Sequence, residues 1–373
     1  MSIIKGQYNV AKVYAKTVDD ATREQIQNFV NHPAFKGKPI AIMPDCHAGK
    51  GSCIGFTMPL NDYIMPEVIG VDIGCGMLAA NFGKIVVDPK KLDAVVHERV
   101  PAGFNIHKES ICVSDKWDSV CDMIGISNER VERSVGTLGG GNHFIEGDYD
   151  DNGNFWIVIH TGSRNFGKCI AEYFHKKALE LMKEYFAEPI NKIAFIPKNS
   201  IYATNYIRAM QIAQDYARLS RSVILNNIFT GLDISTPIDE IDSVHNFIDE
   251  KDMIVRKGAT SARAGERCVI PFNSMDGTAI CTGKGNPEWN FSAPHGAGRL
   301  MSRKKAKENL STEEMKTMLS SHGVYSTTAN DSTLDESPAA YKPSSEIIEA
   351  IQETVSIDLM LHPFYNFKAA EIS

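Results

Sequence analysis

Apolar positions in this chain fall into short runs punctuated by glycine, and two periods alternate between them. Segments 39–44 (PIAIMP), 53–58 (CIGFTM), 68–73, 155–159 (FWIVI) and 267–272 are compact apolar runs bounded by turn residues, and each reads as a strand. A helical period runs through 90–100, where Leu92, Val95, Val96 and Val100 share one side, and through 168–186. Positions 201–228 predict a long helix with room for one break. Positions 344–359 set Ile347, Ile348, Ile351 and Val355 near helical spacing and predict another helix. Ser311 with Glu314 three residues later has the form of a capping box. The polar segment 321–343 predicts a long loop. No repeat, low-complexity tract or linker interrupts the pattern. The expectation is an α/β (mixed α+β) fold, with central β-sheets flanked by helices, in one large domain over residues 1–373.

Composition narrows the class. Hydrophobic residues make up 43% and charged residues 23%, which excludes a disordered chain. No apolar run approaches the ~18 residues of a membrane span, and no apolar segment with a cleavage site opens the chain, so neither membrane nor secretory signal is expected. The eight cysteines form no CxxC pair, which predicts reduced thiols in a cytoplasmic protein. A net charge of −7 argues against coating nucleic acid with the whole surface, yet leaves room for a local basic patch. Such a patch follows His295 in FSAPHGAGRLMSRKKAK, residues 291–307.

Polar clusters recur between the apolar runs: MPDCHAGKG (43–51), GVDIGCGM (70–77), GTLGGGNHFIE (136–146) and IHTGSRNFG (159–167). Asp72 and Cys75 sit three apart on a glycine-flanked turn. They suit a mixed hard and soft metal site, or else a turn cap beside a small buried thiol. His143, His160 and His245 lie beside glycine turns or at strand ends, and with Asp72 and Cys75 they supply donors for one or two divalent ions. A histidine on an apolar strand is otherwise a satisfied core residue. His32, His97, His107, His175, His322 and His362 lack such neighbourhoods and read as surface or helix-face residues; His47 is intermediate. Arg299 and Arg303, four apart, would share a helix face and suit phosphate, whereas Lys304, Lys305 and Lys307 read as a solvated face. Metal beside phosphate points to phosphoryl or nucleotidyl transfer, with His295 as a candidate nucleophile.

The ordered set GVDIGCGM, GTLGGGNHFIE, HTGSRNFG, VHNF, RKGAT and HGAGRLMSR resembles the RtcB family of RNA-splicing ligases over nearly the whole chain. That resemblance implies a GTP- and manganese-dependent enzyme. It would join RNA ends bearing a 3′-phosphate or 2′,3′-cyclic phosphate to 5′-hydroxyl ends, in RNA repair or tRNA splicing. His295 would accept GMP. Two Mn2+ ions would share Cys75, with Asp72 and His143 completing one site and His160 and His245 the other. Asn142, Phe144, Glu146, Ser274, Gly296, Ala297, Gly298, Tyr341 and Lys368 would contact the nucleotide. Asp45, Arg164, Lys257, Arg299 and Arg303 would meet RNA phosphate. An activating protein is a further candidate partner. Segment 270–283 departs from the family's nucleotide loop, with Ser274, Gly277 and Thr278 in its place. Two other readings use the same residues: a metal-dependent phosphodiesterase or phosphatase with no nucleotide transfer, and a non-catalytic binder of damaged RNA ends.

Overall fold

A computed structural model describes residues 1–185 and 193–369. The fold is mixed α/β. A seven-stranded sheet runs in the order Asp239–Val244, Gly76–Asn81, Phe155–Thr161, Phe144–Asp150, Val355–Lys368, Gly277–Gly283, Arg267–Asn273. A six-stranded sheet joins Ser2–Lys5, Val10–Val13, Ile40–Ile42, Phe56–Pro59, Ile254–Lys257 and Asn246–Asp249. Every neighbouring pair in the larger sheet is antiparallel.

The larger sheet is covered on both faces, which explains the unbroken run FWIVI. Phe155, Ile157 and Ile159 pack with helix Pro89–Arg99 and the C-terminal half of helix Ile201–Leu232. Trp156 and Val158 face a second cluster with Met77, Ala79, Phe144 and Leu361. His160 is in phase with that second face.

Helix Pro89–Arg99 forms because Asp88 caps Lys90 N and Pro89 takes the first turn. Helix Arg164–Tyr185 covers the 168–186 expectation except for residue 186, which lies outside the described residues. Helix Ile201–Leu232 is unbroken, since no proline or glycine interrupts it before Gly231. Ser311 caps Glu314 N and starts helix Thr312–Ser321.

Three expectations need correction. Segment 68–73 is not a strand. Pro66 opens the short helix Pro66–Ile69, and Gly70 and Gly74, at φ of 89° and 73°, turn the chain before the strand at Gly76. The 344–359 helix stops at Ile351. Val355, Ile357, Leu359 and Leu361 then alternate in a 14-residue strand, whose β-branched start suits a sheet better than a helix. The 321–343 loop carries two short 3-10 turns, Asp331–Glu336 and Pro338–Ala340, and buries Leu334, Asp335 and Glu336.

One fully buried guanidinium ties the long helix to the larger sheet. Arg221 Nε and Nη2 donate to the two Asp242 carboxylate oxygens at 2.7 and 2.8 Å. Its Nη1 donates to Gly74 O at 3.1 Å and Thr161 O at 2.9 Å. Replacing Arg221 by Ala leaves two carbonyls without this donor and Asp242 with only the longer Arg218 contact at 3.8 Å. The expected loss is about 3–5 kcal/mol of unfolding free energy in urea titrations. A loss below about 1 kcal/mol would show that the clamp is dispensable.

Candidate active site

The turn at 70–75 delivers two donors into the end of the larger sheet. Asp72 Oδ2 lies 2.9 Å from His143 Nε2. Cys75 Sγ lies 3.5 Å from His143 Nε2 and 3.2 Å from His160 Nε2. His160 Nε2 is 3.3 Å from His245 Nε2. Two triads result, Asp72–Cys75–His143 and Cys75–His160–His245, each with ligand atoms within 4.8 Å of one another. Cys75 belongs to both.

The surroundings fit a metal. His143 Nδ1 donates to Leu138 O at 2.9 Å and His160 Nδ1 to Asn142 O at 3.2 Å, so both rings turn Nε2 inward. Burial, then the neighbouring histidines, push His160 and His245 well below the ordinary imidazole range, so both are neutral donors. Burial and the Asp72 charge push the Cys75 thiol well up. Only a cation would hold it as thiolate at neutral pH. Burial opposes ionisation of Asp72, yet the His143 hydrogen bond and the charges of His143 and Arg164 carry its carboxyl below the usual value. Gly162 leaves room for that carboxylate, since a Cβ there would lie 2.1 Å from Asp72 Oδ1.

His295 stands beside this cluster, with its ring centroid 4.7 Å from that of His245. Its Nδ1 lies 2.7 Å from Asp45 Oδ2, and its backbone N donates to the same oxygen at 3.2 Å. An ionised carboxylate only accepts, so Nδ1 carries the proton and Nε2 presents a lone pair. Asp45 is fully buried. It holds His295 by both the ring and the backbone. Gly298, at φ 76°, lets the HGAG turn close on Asp45, because a Cβ would fall 2.0 Å from Asp45 O.

A cleft of about 930 Å³ opens in front of His295. Every residue expected to contact the nucleotide lines it: Asn142, Phe144, Glu146, Ser274, Gly296, Ala297, Gly298, Tyr341 and Lys368. From the 270–283 departure Ser274 reaches the wall together with Pro271, Phe272 and Asn273, while Thr278 is buried within the sheet. Burial raises the Glu146 carboxyl to about 7, against the Asn366 hydrogen bond and the Lys368 charge.

The basic residues divide. Arg299 and Arg303 line the cleft but share no helix face, because Ser302 caps a helix that begins at Arg303. They converge instead on Glu336, at 3.1 and 2.7 Å. Lys368 Nζ lies 2.9 Å from the same carboxylate, and the Tyr341 hydroxyl donates to it. Sequence reasoning missed Glu336 because it sat in an apparent polar loop. Lys304 is largely exposed, as expected, whereas Lys307 reaches Asp335 at 3.4 Å. Arg164 and Lys257 lie outside the cleft wall. Arg164, at φ 57°, donates to Gly103 O at 2.9 Å and to Thr137 Oγ1 at 3.2 Å. Lys257 is buried against Gly70, and burial lowers its pKa to about 8. Among the control histidines, His32 is buried, not surface, and its Nδ1 caps Ala34 N at 3.0 Å. His47 lines the cleft, with burial lowering it to about 4.

Fold and site together define an α/β protein whose Cys/His/Asp donor centre opens on a cation-lined cleft. A family model described as tRNA-splicing ligase RtcB matches residues 25–125 and 120–369. The chain is 33% identical over 379 residues to the RNA-splicing ligase RtcB of Escherichia coli K12, covering 91% of this chain and 92% of that one. It is 28% identical over 400 residues to the tRNA-splicing ligase RtcB of Aeropyrum pernix, covering 83% of each. It is also 28% identical over 439 residues to the tRNA-splicing ligase RtcB of Nanoarchaeum equitans, covering 93% and 91%. The chain belongs to the RtcB family. Among the described residues no helix is long and apolar enough to cross a membrane.

The Glu336 cluster has a pH signature. Burial would raise this carboxyl, but Lys368, Arg303, Arg299 and the Tyr341 hydrogen bond hold it down to about 2, against an ordinary value of 4.5. Its contribution is complete above pH 4.5 and is lost as pH falls through about 2. Denaturant titrations across that window should show the wild type losing about 3 kcal/mol more than Glu336→Gln. Parallel losses in the two proteins would rule the cluster out as the source.

Proposed function

We propose that this chain is an RNA ligase acting through a covalent histidine–GMP intermediate. It would join a 3′-phosphate or 2′,3′-cyclic phosphate end to a 5′-hydroxyl end, using GTP and two manganese ions. Family membership supports RNA joining. The observation that carries the finer reading is the Asp45–His295 pair at the mouth of the cleft. A carboxylate that fixes the proton on Nδ1 leaves Nε2 as a poised nucleophile.

Where the end is a cyclic phosphate, water first attacks the phosphorus and the bond to the 2′-oxygen breaks, which leaves a 3′-phosphate and a 2′-hydroxyl. His295 Nε2 then attacks the α-phosphorus of GTP, an N–P bond forms, and pyrophosphate leaves. An RNA 3′-phosphate oxygen takes the GMP from His295, giving RNA(3′)pp(5′)G and restoring the imidazole. The 5′-hydroxyl attacks the RNA-side phosphorus, and GMP departs. Asp45 stabilises the cationic imidazole while it carries phosphorus. Lys368, above the Phe144 ring at 5.0 Å, and Tyr341 flank the nucleotide. Glu146 and Ser274 supply hydrogen-bonding groups to the base. Arg164, Lys257, Arg299 and Arg303 counter phosphate charge. Manganese in the two triads would neutralise charge on the phosphoryl oxygens and lower the pKa of an attacking hydroxyl. Residues 1–373 act as one domain in this reading, supported by strands from residues 76–81 and 355–368 sharing a sheet.

Incubation with manganese and α-labelled GTP, followed by denaturation, tests the reading. The wild type should carry acid-labile, alkali-stable label, and His295→Ala none. Asp45→Asn should slow labelling on the order of 10²-fold or more, by favouring the wrong tautomer. No label on the wild type with metal bound would favour a hydrolase using the same donors.

A further inference from the structure

Loop 101–105 (PAGFN) lies outside the cleft wall, yet it is tied to the turn that aims the donors. Gly103 N donates to Gly139 O at 2.9 Å, and Leu138 N donates to Pro101 O at 2.9 Å. Leu138 O accepts from His143 Nδ1 at 2.9 Å and from Thr161 Oγ1 at 2.7 Å. Gly103 O accepts from Arg164 Nη2 at 2.9 Å. The same guanidinium packs on the 138–143 turn, since a Cβ on Gly139 would lie 1.7 Å from Arg164 Nη1. The backbone of this loop is therefore fixed relative to both the donor centre and the guanidinium beside it.

The next residue breaks the pattern. Phe104 is 68% exposed. Among the described residues its ring joins none of the hydrophobic clusters and stacks on no other ring. A phenyl group held out on well-fixed backbone gains nothing from packing within the chain. What it offers is a flat apolar face one residue beyond the carbonyl that holds Arg164. Single-stranded nucleic acid has complementary parts: a phosphate for the cation and a base for the ring.

We propose that Phe104 is a base-stacking platform for the RNA strand that brings its 3′-phosphate to the donor centre. Arg164 takes a phosphate, and Phe104 takes a nearby base on its face. Stacking on a phenyl ring accepts every base, so the platform holds the strand without reading its sequence. The inference rests on the ligase reading for the strand's identity, but its test does not need ligation.

Fluorescence anisotropy with a short single-stranded RNA ending in a 3′-phosphate measures the platform directly, in manganese and without GTP. Phe104→Ala should raise Kd roughly tenfold, the scale of one lost stack. Phe104→Trp and Phe104→Tyr should bind like the wild type. With an RNA whose last residues are abasic, wild type and Phe104→Ala should bind alike. GTP labelling of His295 should be unchanged in all variants, which also reports that they fold. Wild-type affinity in Phe104→Ala overturns the proposal. So does an equal loss on base-bearing and abasic RNA, which would mark the ring as structural. Absence of GTP label on the wild type, with RNA binding still dependent on Phe104, would sink the ligase reading and leave the platform standing.

Discussion

The donor centre depends on one buried charge. Arg221 reaches from the long helix to three chain segments, and each segment carries a candidate ligand within three residues. Gly74, whose carbonyl it holds, precedes Cys75; Thr161 follows His160; Asp242 comes three residues before His245. Burying a guanidinium is costly unless its hydrogens are used. Here the carboxylate fork and two carbonyls use four directions at once. The same group therefore neutralises Asp242 and sets the spacing of three donors. Arginine suits this task because its fork is rigid, whereas a lysine would supply charge without fixed directions.

Charge in the cleft is balanced by a different device. Lys368, Arg299 and Arg303 would repel one another if left alone, and Glu336 meets all three from a buried position. Asp335 adds a second carboxylate, against Arg303 and Lys307, so two carboxylates face four cations and a positive surplus remains. An anionic ligand entering the cleft meets cations already fixed in place, so little ordering is needed on binding.

Much of this was legible in the sequence where chemistry is local. The turn GVDIGCGM announces itself by its glycines, and FWIVI reads as a strand ending in His160. Glu336 was illegible because its meaning comes from residues 299, 303, 341 and 368, brought together by long-range packing. The partner of Asp45 was illegible for a related reason: it lies 250 residues away, and only the folded HGAG turn shows that Asp45 faces an imidazole. The 344–359 helix failed because Val355 fits either period, and pairing with Gly277–Gly283 decided for the strand.

Strand register explains why donors so far apart in sequence converge. Gly76 pairs with Thr161 and Val244, so Met77 lies opposite His160 and Ser243. Cys75 and His245 continue the phase of Met77 and Ser243 just past their strand ends. Phe144 lies opposite His160, and Lys368 opposite Phe144. Glu146 and Asn366 form the next pair along, joined by a 2.9 Å hydrogen bond. The candidate metal donors and the cleft residues Phe144, Glu146 and Lys368 therefore share one face and one end of the sheet, in neighbouring strands. A slip of one residue in any of these pairings would turn that strand's site residues to the opposite, fully apolar face. Burial on both faces forbids such a slip, because it would set His160 or Glu146 against Ile145, Ile157 and Leu92. The apolar packing that makes the sheet stable is thus also what holds the site in register.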